Sequence, residues 1–360
     1  MKNLPQRISL VAQTASVLKD EIQSGRWSTQ LPGEHDLRAL LHVGRVTLRS
    51  ALNQLQREGW IRTSQGKRRE IVERRRLDPP ARSDRVVLLT PLPLAHLQPR
   101  TILWIDGLRE HLSEAGYRLE VHEHRDCYSG RPERALESLA RRLSAAGWVL
   151  SQSTAPMQQW FAQRAMPCVI TGSRHEGVLL SSVDRDHRAI SRHAAGLFLA
   201  RGYRRLALIN PVPVLAGDRE SEEGFKEGLQ KCPDDPGSWI TYHNGTVNDI
   251  CAKVELLLKR NQPPEAFLVT RPNHALTVTS YLTSRGLRFP KDVALISRDD
   301  DTFLESMVPS VARYSHSPIV FAKAISSLVL TMVRGEAAGP KDHRIMPKFV
   351  QGQTLGQGAG

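Results

Sequence analysis

Residues 31–67 read LPGEHDLRALLHVGRVTLRSALNQLQREGWIRTSQGK. The pattern predicts a short helix over 34–41, a tight turn at His42, Val43 and Gly44, and a second helix from about 45 to 58. An extended stretch over 60–64 and a turn at Gln65, Gly66 and Lys67 follow. In the second helix Leu48, Ala51, Leu52 and Leu55 fall on one face. Arg45, Arg49 and Asn53 stand four apart on another, free to project outward. A helix with one apolar face, arginines on the other and a short turn before it suits the major groove of DNA. The basic hairpin behind it suits a wing that touches backbone or minor groove. The reading is a winged helix-turn-helix.

These residues resemble the GntR family of regulators. The family shows LPSE-R-E-LA, then G-V-S-R-x-T-V-R-x-AL-x-x-L, then E-G-L-I and a wing ending in glycine. Here the matching pieces are Leu31, Pro32 and Glu34; Leu37; Val43 to Leu52; Leu55; Glu58, Gly59 and Ile61; and Gly66. The match covers roughly residues 8–70. The resemblance implies that Arg45 and Arg49 contact bases or phosphates, that Thr47 helps hold the DNA backbone, and that Gln65 and Gly66, with Lys67 beside them, form the wing tip. His35 stands where the family usually has arginine, with Arg38 one turn on, and Gly44 replaces the usual Ser or Thr. These departures bear on which DNA sequence is preferred.

The charge distribution agrees with a double-stranded DNA partner. The net charge is +13, and residues 1–85 hold 17 Lys/Arg against 9 Asp/Glu while the remainder holds 33 against 28. More than half of the excess therefore sits in under a quarter of the chain, as contact with phosphates requires. A generally arginine-rich composition is the alternative, and it does not account for the local asymmetry. Four widely spaced cysteines (Cys127, Cys168, Cys232, Cys251) argue against a zinc ribbon or a disulfide framework. Without an N-terminal apolar segment or a run of about 18 apolar residues, the expectation is a cytoplasmic protein with no membrane span.

A linker is expected at 73–85, where ERRRLDPPARSD combines mixed charge with paired prolines. Its Arg74, Arg75 and Arg76 fit either phosphate contact or a solvated charge cluster. The domains are thus read as 1–72, a linker, and 86–356. From Val86 onward, strands alternate with helices. Strands are predicted at 86–90, 119–122, 148–151, 167–172 and 181–184, then at 206–209, 239–242, 266–269 and 293–296. Helices are predicted between them, including 221–231 and 275–285. The fold class is α/β, with doubly wound parallel sheets. Two successive lobes of similar size imply a ligand cleft between them.

This second part is similar to the effector domain of the LacI/GalR repressors, relatives of periplasmic sugar-binding proteins. The matching pieces include Val183 and Asp184, Gly202 to Ile209, Gly224 and Phe225, Asp299 and Asp300, and Val308 to Val311. The resemblance implies a homodimer, an operator and a small-molecule effector such as a sugar, with repression the usual sign. It places the hydroxyl-binding carboxylate at Asp299. The family's usual arginine maps onto Ser221, with Arg219 the nearest guanidinium, and its usual Asn-Asp pair reads Arg271-Pro272. Arg298 precedes the aspartate where small or aromatic residues are usual. The candidate effector residues are therefore Arg219, Arg271, Arg298 and Asp299. Two readings stay open: an unusual ligand, anionic in view of Arg271 and Arg298, or a domain kept for dimerisation alone.

Other chemistry is declined. His122 and His124 with Cys127 suggest metal ligands, but alternation on a solvent-facing strand explains them equally well. No Ser-His-Asp order, Walker loop or nucleotide-type GxGxxG supports an enzyme, and no cofactor is expected. Trp104, Trp148, Trp160 and Trp239 are read as core or cleft wall. The rival from another class is a cytosolic solute-binding or enzymatic α/β protein.

Overall fold

The structure is a computed structural model, and it describes residues 10–23, 27, 30–57, 60–63, 69–71, 83–230, 237–336 and 339–356. The chain divides into two compact units, Met1–Arg82 and Ser83–Gly360. The expected linker residues 73–82, with Arg74, Arg75 and Arg76, lie outside the described residues, as do the wing-tip residues Gln65, Gly66 and Lys67.

The first unit contains α1 (Leu10–Gln23), α2 (Glu34–Leu41), α3 (Arg45–Arg57), β1 (Ile61–Arg62) and β2 (Glu70–Ile71). His42 ends α2 in the left-handed region (φ 51°), and this sharp reversal sets α3 against α2. Leu18, Leu31, Leu37, Leu48, Leu52 and Leu55 form the centre of the core, each fully buried. β1 and β2 pair antiparallel with Ile61 opposite Ile71, and Leu31 N–H donates to the Arg69 carbonyl at 2.9 Å. The helix-turn-helix is thereby tied to the base of the wing.

The second unit begins with β3 (Arg85–Thr90), α4 (Pro99–Glu114), β4 (Arg118–Glu123), α5 (Glu133–Leu143), β5 (Gly147–Ser151), α6 (Ala155–Gln163), β6 (Cys168–Thr171) and β7 (Ser181–Arg185). It continues with α7 (His187–Ala200), β8 (Leu206–Pro211), α8 (Ala216–Leu229), β9 (Ser238–His243), α9 (Val247–Leu258), β10 (Ala266–Val269), α10 (Pro272–Ser284), β11 (Ala294–Ser297) and β12 (Ala312–Ser315). Last come α11 (Pro318–Val333), β13 (Asp342–Ile345) and β14 (Lys348–Val350). One six-stranded sheet runs β13-β7-β6-β5-β3-β4, all parallel. The other runs β14-β12-β11-β10-β8-β9, parallel except for β14. Five central strands read as continuous apolar runs because helices cover both faces.

The lobes are not simply successive. α11 packs Phe321, Ala322, Ile325 and Val329 against Trp104 and Leu108 of the first lobe, and β13 pairs with β7. The chain therefore crosses between lobes three times: after Arg185, after Ser315 and after Ile345. Three short crossings make a hinge. No helix among the described residues is long and apolar enough to cross a membrane.

α7 and α8 pack at very close range. A Cβ at Gly224 would collide with the backbone carbonyl of Arg188, and one at Gly228 would lie 2.6 Å from the Ala195 Cβ. Gly224→Ala is expected to cost about 1–3 kcal/mol, since the obstacle is backbone and cannot rotate away. Urea denaturation checks this, and an unchanged midpoint would refute the close α7–α8 packing.

Candidate functional site: an inter-lobe cleft and a DNA-facing helix

The carboxyl ends of both sheets face a cleft of about 530 Å³. Trp104, Tyr128 and Phe321 form apolar wall, with Trp104 and Phe321 in an edge contact at 5.7 Å. The polar lining is dominated by charge. Four carboxylates (Asp184, Asp218, Asp299, Asp300) face four guanidinium groups (Arg100, Arg185, Arg271, Arg298).

These charges are paired with one another. Arg298, 2% exposed, holds Asp299 through two bonds of 3.2 and 2.9 Å and donates to Asp218 at 3.0 Å. It also donates to Ser221 Oγ at 2.8 Å. Ser221, which stands where the LacI/GalR pattern has arginine, thus lies against a guanidinium supplied from position 298. Asp299 takes a second partner in Arg185 at 3.1 Å, and Asp218 takes Arg271 at 2.8 Å. Asp300 is held by Arg100 at 2.8 Å and Arg313 at 2.7 Å. Burial pushes Asp299 up, but Arg185 and Arg298 outweigh it and hold the carboxyl far below the ordinary range. In Asp184 burial is likewise outweighed, by His187, by Arg185 and by the Ser173 hydroxyl, which donates at 2.8 Å.

Several bonds span the lobes. Arg344 on β13 grips Glu220 on α8 with two bonds of 2.8 Å, and Arg100 on α4 also donates to the His316 carbonyl in the hinge. With Arg185–Asp299 and Arg100–Asp300, they tie one lobe to the other directly.

Among the described residues, half of the buried cleft groups left without a partner are imidazoles; the rest are two arginine Nε atoms and the Thr154 hydroxyl. The buried Nδ1 atoms of His187, His274 and His316 have no hydrogen-bond partner, nor do the Nε atoms of Arg100 and Arg185. Burial, reinforced by His243 and Arg271, brings His274 down to about 3. Burial, with Arg185, does the same for His316. Both rings are therefore neutral near pH 7 and present a donor or an acceptor without charge.

Of the expected effector residues, the structure brings Arg271, Arg298 and Asp299 to this cleft. It does not bring Arg219. α8 begins at Ala216, five residues earlier than the sequence pattern suggests, which turns Asp218 into the cleft and leaves Arg219 exposed. Arg219 lines a separate depression of about 270 Å³ with His175 and Glu176. Arg100, Arg185, Asp218 and His274 escaped the sequence reading. Only the aspartate in a helix's first turn and Pro272 at a helix start offered a signal. Cys127 is core rather than ligand, its thiol pushed up to about 12 by burial, and His122 Nε2 lies 3.2 Å from Glu120.

In the first unit, Arg45 and Asn53 are exposed, as are His35 and Arg38 on α2, while Thr47 is half-buried. Arg49 is not wholly free. Glu34 accepts from Arg49 at 3.0 Å and from Arg69 at 2.8 Å, joining the outward face of α3 to the base of the wing. The bond from Arg69 contributes most to holding the Glu34 carboxyl below its usual range.

The fold is that of a winged helix joined to a two-lobed, periplasmic-binding-protein-like domain. Residues 10–71 match the gntR family of bacterial regulatory proteins, and residues 180–355 match the periplasmic binding protein-like domain. The chain thus carries a GntR-family DNA-binding domain followed by a periplasmic-binding-protein-like domain. Among curated proteins it is 26% identical over 190 residues to the HTH-type transcriptional regulator CelR of Thermobifida fusca, covering 51% of this chain and 55% of that protein. It is 23% identical over 352 residues to the arabinose metabolism transcriptional repressor of Geobacillus stearothermophilus, covering 88% and 90%. Among solved structures, a transcriptional regulator CelR–cellobiose complex superimposes with a TM-score of 0.66 at 20% identity, covering 97% of this chain and all of that one.

Proposed function

We propose that this chain is a sequence-specific DNA-binding transcription repressor, working in the cytoplasm as a homodimer. In this reading a neutral sugar or related polyhydroxyl metabolite between the lobes sets its affinity for operator DNA. It acts as a binding protein rather than an enzyme.

The observation that carries the effector class is the internal pairing of the cleft's charges. Four carboxylates meet four guanidinium groups, so an anionic ligand would find each arginine already engaged. Beside the aromatic wall, the neutral rings of His274 and His316 keep a free nitrogen, and the Nε atoms of Arg100 and Arg185 are the guanidinium positions without a partner. Hydroxyl groups both donate and accept, and a sugar ring presents them together with an apolar face. The relatives support the same reading, one being an arabinose metabolism transcriptional repressor and another a regulator solved with cellobiose. A ligand that prefers one degree of lobe closure shifts the hinge equilibrium, and operator affinity changes by that differential affinity.

The alternative, a domain that binds no ligand, draws on the direct pairs Arg344–Glu220 and Arg100–Asp300, which join the lobes unaided. One experiment separates the two. Genomic fragments retained by the protein are challenged with neutral sugars and with their uronate and phosphate counterparts. Release by a neutral sugar supports the proposal, and release by the anions alone refutes the charge argument. Retention unaffected by every compound, with no thermal shift, favours the ligand-free domain.

A further inference from the structure

Val46 is 79% exposed, more than any other large hydrophobic residue described in the DNA-binding unit. It stands in the first turn of α3, between Arg45 and Thr47. Leu48, Ala51, Leu52 and Leu55 are the buried face of that helix. With 3.6 residues per turn, Val46 points roughly 180° away from the centre of that face. The fold offers no reason for it. A β-branched side chain lowers helix propensity, and its methyls gain nothing from packing there. A polar residue would serve a solvated surface better.

We infer that Val46 reads the C5-methyl group of a thymine in the operator. In a helix-turn-helix the first turn of the second helix meets the base edges in the major groove. The thymine methyl is the apolar feature of that groove, and a small branched side chain complements it without a hydrogen bond. Val46 shares the outward face with Arg49, Ser50 and Asn53, so an apolar contact sits among groups able to read polar edges. The pairing makes the site discriminate thymine from cytosine at one step, which the arginines alone do not do. The inference rests on the DNA-binding reading above and adds a residue that neither motif nor charge singles out.

The test uses the full-length protein and duplexes that it selects from a random pool. Each thymine of the selected sequence is replaced singly by deoxyuridine, which removes the methyl and leaves base pairing intact. One such replacement is expected to weaken wild-type binding about fourfold, the worth of one buried methyl group. Val46→Ala is expected to weaken binding to the thymine duplex by a similar factor and to abolish the deoxyuridine effect. Val46→Thr, which keeps one methyl and the branching, should retain part of it. Because Val46 is exposed, the alanine variant should melt no lower than wild type. A deoxyuridine penalty that persists in Val46→Ala, or no sensitive thymine at all, overturns the inference while leaving DNA binding intact. Selection of no duplex defeats the DNA-binding reading itself, and this inference with it.

Discussion

Arg298→Ala is expected to cost the second unit about 3–5 kcal/mol, the usual consequence of removing one partner from a buried ion pair. Arg298 is fully buried and serves Asp299, Asp218 and Ser221 at once. Without it, Asp299 retains Arg185 at 3.1 Å and Asp218 retains Arg271 at 2.8 Å, each losing its most enclosed partner. The pH dependence identifies the cause. In the wild type, Asp184, Asp218 and Asp299 are all held below the usual carboxylate range. Their contribution is therefore present above the unfolded value of about 3.9 and is lost as the pH falls through the folded values. In the variant, burial is less well opposed, so the same carboxyls take up protons at higher pH. The gap between wild type and variant should narrow on acidification toward pH 4, because protonation removes the charge that Arg298 no longer balances. Denaturation midpoints measured between pH 4 and 8 decide this. A gap that is constant across that range would mean that packing, not charge, is what Arg298 supplies.

The clamp also shows where sequence reading ran out. The winged helix was legible because its signals are local: the apolar spacing from Leu48 to Leu55 and a turn residue lie within one short stretch, and α3 starts at Arg45 as the spacing predicts. The alternation of strands and helices was legible for the same reason. Pairings between distant segments left no local trace. Arg100 and Asp300 lie 200 residues apart, Arg344 and Glu220 lie 124 apart, and Ser182 pairs with Asp342 inside the first lobe's sheet although the whole second lobe lies between them in sequence. The apolar run of α11 carried no sign that it would return to the first lobe. Two helix starts were missed through loop-like residues. Pro272 opens α10 at a position where proline's fixed φ suits the first turn. In α8, Asp218 accepts from the Leu215 amide at 3.3 Å and so begins the helix well ahead of Ser221. That early start decided which of Asp218 and Arg219 entered the cleft.

Arg45→Ala and Arg49→Ala are each expected to weaken specific operator binding by about 1–3 kcal/mol, roughly 5- to 150-fold. The two need not behave alike. Arg45 is exposed at the start of α3, whereas Arg49 already gives a bond of 3.0 Å to Glu34. Because that pair is half exposed and screened by water, moving Arg49 onto DNA costs little. Its net charge toward phosphate is nevertheless partly offset by the carboxylate beside it. Arg45→Ala should therefore flatten the salt dependence by about 0.9 log units for each phosphate that the side chain no longer neutralises. Arg49→Ala should change it less and relax base preference more. Glu34→Gln offers the converse test. It deletes a negative charge beside the outward face of α3, so non-specific affinity should rise if that face meets DNA, while the base of the wing loses the anchor that Arg69 found on Glu34 at 2.8 Å. Titrations of selected and random duplexes at several salt concentrations measure all three effects. If both arginine variants bind the selected duplex as tightly as the wild type at physiological salt, the assignment of α3 to the groove is wrong.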